Sequence, residues 1–392
     1  MRRPTFAIFV VAALLLATHS PAAAQSSARA LPARISDSTF WKMVTDISEP
    51  GGYFRLTDNF TSNEMEVGEL SSMLRSTGVN GGVYIGVGPE QNFSYIAAIR
   101  PKMAFIVDIR RQAVVQHLMF KTMFEIARDR ADFLTLLFAR PRPAGVDSST
   151  SIQTIWPLYK AQALDTALAR KTNALVEQRI KARGFALTEP EAAQLKSVLE
   201  AFQYFGPNIT TQSGSGGGRG GGFGGGFGGG FGGGFGGGRT FADMTGYSLD
   251  ATAQPQSFLS TEENFQFVKS LEDRNLLVPV SGDFGGPKAI RAIGAWLKMQ
   301  DATVSAFYVS NVEQYLFQDQ KSQAFYENAS TLPVDAKSVF IRPYSMRRYG
   351  RGGGFSGDPN EPVRSLCPIQ DFLKAAAAAR VSSNNQALAC AP

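Results

Sequence analysis

The sequence predicts an α/β fold in which a mostly parallel sheet of at least five strands is interrupted by a helical insertion. The first observation is a strand–turn–helix–strand unit over residues 83–107, because two short apolar strands joined by a helix run parallel. The second is that this alternation resumes over residues 276–345 with three further apolar strands. The third is that helical and loop patterns replace the alternation over residues 141–275.

The chain begins with a pattern typical of a secretory signal. Arg2 and Arg3 precede an apolar run over residues 6–17, and residues 22–24 supply the small side chains that precede signal cleavage. Because a helix needs about 20 apolar residues to span a bilayer, cleavage is favoured over an uncleaved membrane anchor. We therefore predict that residues 1–24 are removed and that the mature protein is periplasmic or secreted, with no transmembrane span.

The mature chain is only mildly basic. Loss of Arg2 and Arg3 with the signal leaves 37 of the 39 basic residues against 33 acidic ones, a net charge of +4. A charge of that size does not by itself indicate nucleic-acid binding. We therefore expect no nucleic-acid partner.

Cysteine and histidine are both scarce. Cys367 and Cys390 are the two cysteines of the chain. In an oxidising compartment they are candidates for a disulfide, with two independent thiols as the alternative. The mature chain has one histidine, His117, in an apolar stretch that favours a packed helix residue over a ligand. We expect no metal site and no histidine-dependent hydrolase chemistry.

Shifts in composition divide the chain into segments. Residues 112–138 and 159–182 each predict one helix. Residues 53–64 predict either a lid over a cleft or an ordered surface loop. Four Phe-Gly-Gly-Gly units predict disorder, since glycine this dense loses too much entropy on folding, and a linker is favoured over an RGG-like interaction segment. The predicted segments are the signal (1–24), an N-terminal helical or lid segment (25–80), the first half of the core (81–140), a helical insertion (141–275) that contains the disordered loop 213–239, the second half of the core (276–345) and a C-terminal tail (346–392).

Small and polar residues follow each predicted strand. In open α/β sheets, ligands bind in the crevice beyond the carboxyl ends of the strands. We therefore predict a ligand site at the ends of the first three strands, built by Gly86, Gly88, Glu90, Asp108 and Asp283.

Asp108 indicates the kind of ligand. It lies 22 residues after Gly86 at the end of the next strand, where an acid accepts hydrogen bonds from the hydroxyls of a ribose. The alternative is a solvated acid paired with Arg110 or Arg111. The position and charge of Asp108 favour a nucleoside-type small molecule.

The first turn argues against a phosphate-bearing nucleoside. Gln91 stands where a dinucleotide motif has its third glycine, and Glu90 places a carboxylate in the first helical turn, where it repels phosphate. A ligand without phosphate and with a positive charge fits better. S-adenosylmethionine has both properties and is the expected cofactor, if the chain binds one.

The strand ends resemble those of class I S-adenosylmethionine-dependent methyltransferases, which have a Rossmann-like fold. The blocks 84–93 (YIGVGPEQNF), 107–111 (VDIRR) and 310–316 (SNVEQYL) look like an uncharacterised group of exported bacterial proteins described as methyltransferase-like. The resemblance covers residues 45–140 and 260–345.

The resemblance implies a role for each strand end. The glycines of the first strand would approach the methionine part of the cofactor, Asp108 would hold the ribose, and Asp283 would lie beside the adenine. The substrate would meet the end of the fourth strand, which supplies Ser310, Asn311 and Glu313.

Two functions from different classes stay open. The first is an exported enzyme of methyltransferase type, whose main task is to align a nucleophile with a methyl group. The second is a non-catalytic periplasmic or surface module that keeps the fold and uses its crevice for another ligand or for packing alone. Tyr84 stands where methyltransferases commonly carry an acid, and export removes the chain from the compartment that supplies S-adenosylmethionine.

Overall fold

The computed structural model describes residues 30–54, 59–64, 66–211, 213, 239–343 and 365–390. The predicted signal and nearly all of the predicted glycine-rich loop lie outside the described residues, as does the start of the predicted tail. The strands of the described part are β1 Val83–Gly86, β2 Met103–Asp108, β3 Leu277–Ser281, β4 Val304–Tyr308, β5 Val339–Ile341 and β6 Leu366–Pro368. Its α-helices are α1 Asp37–Ile47, α2 Val67–Ser76, α3 Gln91–Ile99, α4 Arg111–Ile126, α5 Arg130–Phe138, α6 Ile152–Lys160, α7 Thr166–Ala182, α8 Glu189–Phe205, α9 Phe241–Gly246, α10 Glu262–Asp273, α11 Ala289–Met299, α12 Val312–Gln318, α13 Ser322–Ala329, α14 Ile369–Ala377 and α15 Asn384–Leu388.

The sheet confirms the predicted α/β class. Its strands lie in the order β3-β2-β1-β4-β5-β6, and all neighbours pair in parallel except β5 and β6. Every residue of β1, β2 and β3 is buried. Such uninterrupted burial is typical of a parallel sheet with helices on both faces, and the arrangement is consistent with a Rossmann-like fold.

The strand order reverses between β1 and β4. From β1 the chain adds β2 and then β3 on one side, and it returns to place β4 on the other side of β1. At such a reversal the connections on the two sides leave in opposite directions, which opens a crevice at the carboxyl ends of the strands. The crevice therefore lies beyond Gly86 and Tyr308, the last residues of β1 and β4.

Two predicted helices are each divided in the structure, which corrects the sequence analysis. Within residues 112–138, α4 ends at Ile126 and α5 begins after Asp129, whose carboxylate accepts a hydrogen bond from the backbone N–H of Asp132. Within residues 159–182, α7 begins only after Asp165, whose carboxylate accepts from two backbone N–H groups of its first turn. Both breaks have the same cause, since an aspartate at the N-cap stabilises a new helix start.

The C-terminal residues return to the sheet. The predicted tail contributes β6, which pairs antiparallel with β5, and a disulfide joins Cys367 in β6 to Cys390 after α15. The bridge closes a loop with a sequence separation of 23 residues around α14 and α15. No helix among the described residues has both the length and the apolar character needed to cross a bilayer.

Candidate functional site

The crevice at the strand reversal contains a cavity of about 960 Å³. Ligand pockets in proteins commonly have volumes of about 300–1,000 Å³, so this cavity has room for a molecule of nucleoside size. It is lined by residues at or just after the ends of four strands, among them Gly88, Asp108, Asp283 and Ser310. The predicted ligand residues thus meet at one place, although not all of them face the cavity.

An N-terminal segment runs across the carboxyl ends of the strands and forms one wall of the cavity. Glu49 N–H donates to the carbonyl oxygen of Ser281 (2.7 Å), and Gly52 N–H donates to that of Ile109 (2.7 Å). The ring of Phe54 then contacts Tyr315 edge-on, with 5.0 Å between the ring centroids. The structure therefore places residues 49–54 over the crevice.

The first two predicted ligand residues are Gly86 at the end of β1 and Gly88 in the turn that follows, and they have different roles. Gly88 has a φ of +79°, which only glycine adopts without strain, and it lines the cavity. Gly86 does not line it. A Cβ on Gly86 would lie 2.0 Å from Oδ1 of Asn92, so this glycine is required by packing rather than by a ligand.

Two buried polar side chains fix the glycine turn. Asn92 donates from Nδ2 to the carbonyl oxygens of Val87, Gly88 and Pro89, at 3.0, 3.1 and 2.7 Å. His117 bonds through Nε2 to the carbonyl oxygen of Gly88 at 3.0 Å. Burial lowers the pKa of His117 to about 4, so the neutral imidazole donates this bond. His117 is thus a packed helix residue with a structural task.

Glu90 does not face the ligand cavity, which corrects the sequence analysis. Its side chain is buried and accepts hydrogen bonds from the backbone N–H of Ser62 at 3.0 and 3.2 Å. Burial raises its pKa to about 7. The carboxyl fixes the segment 59–64 to the core, and the expected repulsion between Glu90 and a bound phosphate therefore has no structural basis.

A different carboxylate occupies a helix start beside the crevice. Glu49 accepts hydrogen bonds at Oε1 from the backbone N–H groups of Lys288 and Ala289, both at 2.8 Å. These groups belong to the first turn of α11, where an anion would otherwise bind. The carboxylate of Glu49 already meets this positive end of the helix, which disfavours a phosphate there.

Asp108 and Asp283 both line the cavity, and each is paired with a cation. Asp108 is 4% exposed and forms a forked ion pair with Arg110, from Nε at 3.1 Å and from Nη2 at 2.9 Å. Lys321 donates to Asp283 at 2.7 Å. The structure thus shows the alternative given above, in which Asp108 pairs with Arg110. The pair is buried rather than solvated.

Three substrate residues were predicted at the end of β4, and two of them lie in the cavity wall. Ser310 and Asn311 line the cavity, and Ser310 has a φ of +49°, a conformation that costs a non-glycine residue roughly 1–2 kcal/mol. Glu313, the third predicted substrate residue, does not line the cavity, which corrects that prediction. It is 2% exposed and forms a forked ion pair with Arg342 at 2.6 and 2.9 Å, so its charge is used inside the core.

Glu64 is a site residue that the sequence analysis did not single out. It lines the cavity, and its Oε1 accepts hydrogen bonds from Ser310 Oγ at 2.7 Å and from the Tyr308 hydroxyl. Gln91 Nε2 in turn donates to the Tyr308 oxygen at 2.9 Å. Burial raises the pKa of Glu64 to about 8. A buried carboxyl that titrates near neutral pH in a cleft is a candidate for a functional role.

The sequence offered little signal for Glu64. It lies at the end of residues 53–64, which are rich in polar side chains and were expected to form a lid or a surface loop. Burial of this segment depends on contacts with distant residues, such as the bond from Gln116 Nε2 to the carbonyl oxygen of Phe60 and the bond from Thr211 Oγ1 to that of Thr61. No local sequence pattern predicts these contacts, because their partners lie far apart in the chain.

The cavity wall carries more negative than positive charge. With Glu64 neutral, four carboxylates face two cations among the described lining residues, an excess of two negative charges. The carboxylates belong to Glu49, Asp108, Asp283 and Asp319, and the cations to Arg110 and Lys321. A cationic ligand is therefore favoured over an anionic one.

Comparison with known proteins identifies a family but no activity. A family profile described as "Domain of unknown function (DUF7790)" matches residues 59–182 and 244–389. These two ranges contain all six strands of the described sheet and omit the predicted glycine-rich loop. A search of curated proteins gave no significant match.

Proposed function

The chain belongs to the family described as domain of unknown function DUF7790, and we propose that it binds a cationic, nucleoside-type small molecule such as S-adenosylmethionine in the cavity beyond β1 and β4. The observation that carries this proposal is the position of the 960 Å³ cavity at the strand reversal, with Gly88 and Asp108 in its wall. Ligands of open α/β sheets bind at this place. The excess of carboxylates in the wall supports a ligand with positive charge.

Binding of S-adenosylmethionine to residues 25–392, measured by titration calorimetry, tests the proposal. We expect saturable binding, and we expect Asp108→Asn to weaken it by about tenfold to a hundredfold, because a hydrogen bond to a charged group contributes about 1.5–3 kcal/mol. Glu263→Gln, which changes an exposed carboxylate on α10, should bind as the unchanged protein does. Absence of binding at millimolar ligand in a correctly folded sample would contradict the proposal.

A second candidate is a module that keeps the fold without binding a nucleoside. The specific observation in its favour is that Asp108 and Asp283 are already paired with Arg110 and Lys321, so no ligand is needed to neutralise them. On this alternative, the purified protein binds no S-adenosylmethionine, and mass spectrometry finds no nucleoside retained by it.

We also propose that the protein is exported. Residues 1–24 have the pattern of a cleaved signal, and the disulfide between Cys367 and Cys390 supports an oxidising compartment. Expressed in a Gram-negative host, the full chain should appear in the periplasm with Gln25 as its first residue and without free thiols, as intact mass and thiol titration would detect. A chain that begins at Gln25 should stay in the cytoplasm. Recovery of the full chain from the cytoplasm, with residues 1–24 intact, would count against export.

A further inference from the structure

Glu64 lies in the cavity wall in a position fixed by the core. The segment that delivers it, residues 59–64, is tied to α3, α4 and the residues after α8 through Glu90, Gln116 and Thr211. The Glu64 side chain is 1% exposed, and its backbone N–H donates to Ser62 Oγ at 3.2 Å. The carboxyl therefore has a defined place rather than the freedom of a surface side chain.

Among the described residues, the polar groups that act most strongly on Glu64 are neutral or negative. The Ser310 and Tyr308 hydroxyls donate to Oε1, the Tyr95 phenol lies within hydrogen-bonding reach of the carboxyl, and Glu66 adds a like charge. The buried phenol of Tyr84 on β1 interacts with Glu64 electrostatically, while its hydroxyl donates to Asn92 Oδ1 at 2.8 Å. Oε2 makes no hydrogen bond of normal geometry with any described residue, and no described cation pairs with the carboxyl. A buried acid in such surroundings stays protonated or requires a positive partner.

We propose that Glu64 is the counter-ion for the positive group of the ligand and that it loses its proton when the ligand binds. This inference rests on the proposed function, because it requires a cationic ligand in the cavity. Glu64 is suited to this task because Asp108 and Asp283, the two predicted acids of the wall, already have cationic partners. Among the described acids of the wall, Glu64 is the one that is deeply buried without a cationic partner.

The proton balance follows from the electrostatics of the site. Burial raises the pKa of Glu64 to about 8, so at pH 7 the carboxyl is mostly protonated and the empty site is neutral at this residue. A cation bound beside it favours the ionised form. The O–H bond of the carboxyl then breaks, the proton goes to the solvent, and the carboxylate pairs with the ligand. No other reactant is needed.

The experiment compares two ligands that differ in this charge. S-adenosylmethionine has a positive sulfonium, whereas S-adenosylhomocysteine has the same nucleoside and a neutral sulfur. Titration calorimetry of residues 25–392 at pH 5.5 to 7.5 should show that affinity for the first ligand rises about tenfold per pH unit, since one proton is released on binding. Affinity for the second ligand should stay nearly constant. Buffers of different ionisation enthalpy count the released protons directly.

Two variants test whether Glu64 causes the pH dependence of binding. Glu64→Gln should remove the pH dependence and the proton release while leaving the fold intact. Glu272→Gln is the matched control, because Glu272 is fully buried with a pKa raised to about 8 by burial but lies on α10 outside the cavity wall. The affinity of Glu272→Gln for S-adenosylmethionine should depend on pH as that of the unchanged protein does.

The outcomes separate this inference from the proposed function. Equal pH dependence for the two ligands would overturn the role of Glu64 alone, as would a slope that survives in Glu64→Gln. If neither ligand binds, the proposed function fails and this inference fails with it. The comparison of the two ligands on the unchanged protein does not depend on how any variant folds.

Discussion

Replacing Arg342 with methionine is expected to lower the free energy of unfolding by about 3–5 kcal/mol, because it leaves a buried carboxylate without its cation. Arg342 is fully buried and Glu313 is 2% exposed. The guanidinium also lies 4.6 Å from the ring centroid of Phe340 and 4.3 Å from that of Phe372. In the variant, Tyr326 would be the remaining donor to Glu313, at 3.0 Å. Urea denaturation at pH 7 measures the loss.

Two comparisons show whether the stranded charge is the cause. Lys42→Met breaks the exposed ion pair of α1, whose side chains are 75% and 56% exposed, and pairs of that kind contribute about 0–1 kcal/mol. The double variant Arg342→Met with Glu313→Leu should recover most of the lost stability, because an apolar pair of similar volume often replaces a buried ion pair without loss. A loss below 1 kcal/mol for Arg342→Met alone would refute this account of the core.

Replacing Glu64 with glutamine is expected to raise the free energy of unfolding above pH 4.5, whereas Arg342→Met lowers it. Burial raises the pKa of Glu64 from 4.5 to about 8. Between these values the unfolded chain ionises Glu64 while the folded chain keeps the proton. The unfolding free energy of the unchanged protein therefore falls by about 1.4 kcal/mol per pH unit from this group. Glutamine has the shape of the neutral acid and does not titrate.

The difference between the two proteins should depend on pH in a defined way. Well below pH 4.5 Glu64 is protonated in both states, and the variant should differ little from the unchanged protein. The advantage of Glu64→Gln should grow up to about pH 8 and then level off. Urea denaturation from pH 5 to 9 measures it, with Glu263→Gln as the control for an exposed carboxylate. A variant that is less stable than the unchanged protein at pH 8 would show that the ionised carboxylate contributes to the fold.

A stabilising Glu64→Gln would also bear on function. A buried acid that lowers stability at neutral pH has no packing advantage over its amide, whereas functional sites often retain groups that reduce stability. The two predictions therefore separate two kinds of buried carboxyl in this chain. Glu313 has its cation and supports the core, while Glu64 has hydroxyl donors alone and is available to a ligand.

The sequence was sufficient for five of the six described strands and for the sheet class. Short apolar runs at residues 83–87, 103–107 and 277–281 are local patterns, and the helices between them force the parallel arrangement. The antiparallel strand β6 was not predicted. Three residues within a loop-rich tail carry no periodic pattern, and Leu366–Pro368 becomes a strand only by pairing with β5.

Helix boundaries were harder to predict from the sequence, because they also depend on contacts with distant residues. Continuous apolar periodicity over residues 112–138 and 159–182 suggests one helix each, yet Asp129 and Asp165 cap new helices within them. An aspartate inside a helical pattern is compatible with both a capped break and a solvent-facing helical position. The choice depends on where the neighbouring elements require the chain to turn.

The sequence by itself determined the α/β class, the strand ends that meet at one crevice, and the placement there of Gly88, Asp108, Asp283 and Ser310. Tertiary structure alone decided which polar groups face the cavity. It buried Glu90 and Glu313 against Ser62 and Arg342 and brought Glu64 from a distant polar segment into the wall. The physical reason is that strand periodicity is a local property, whereas the burial and pairing of a carboxyl depend on residues far away in the chain.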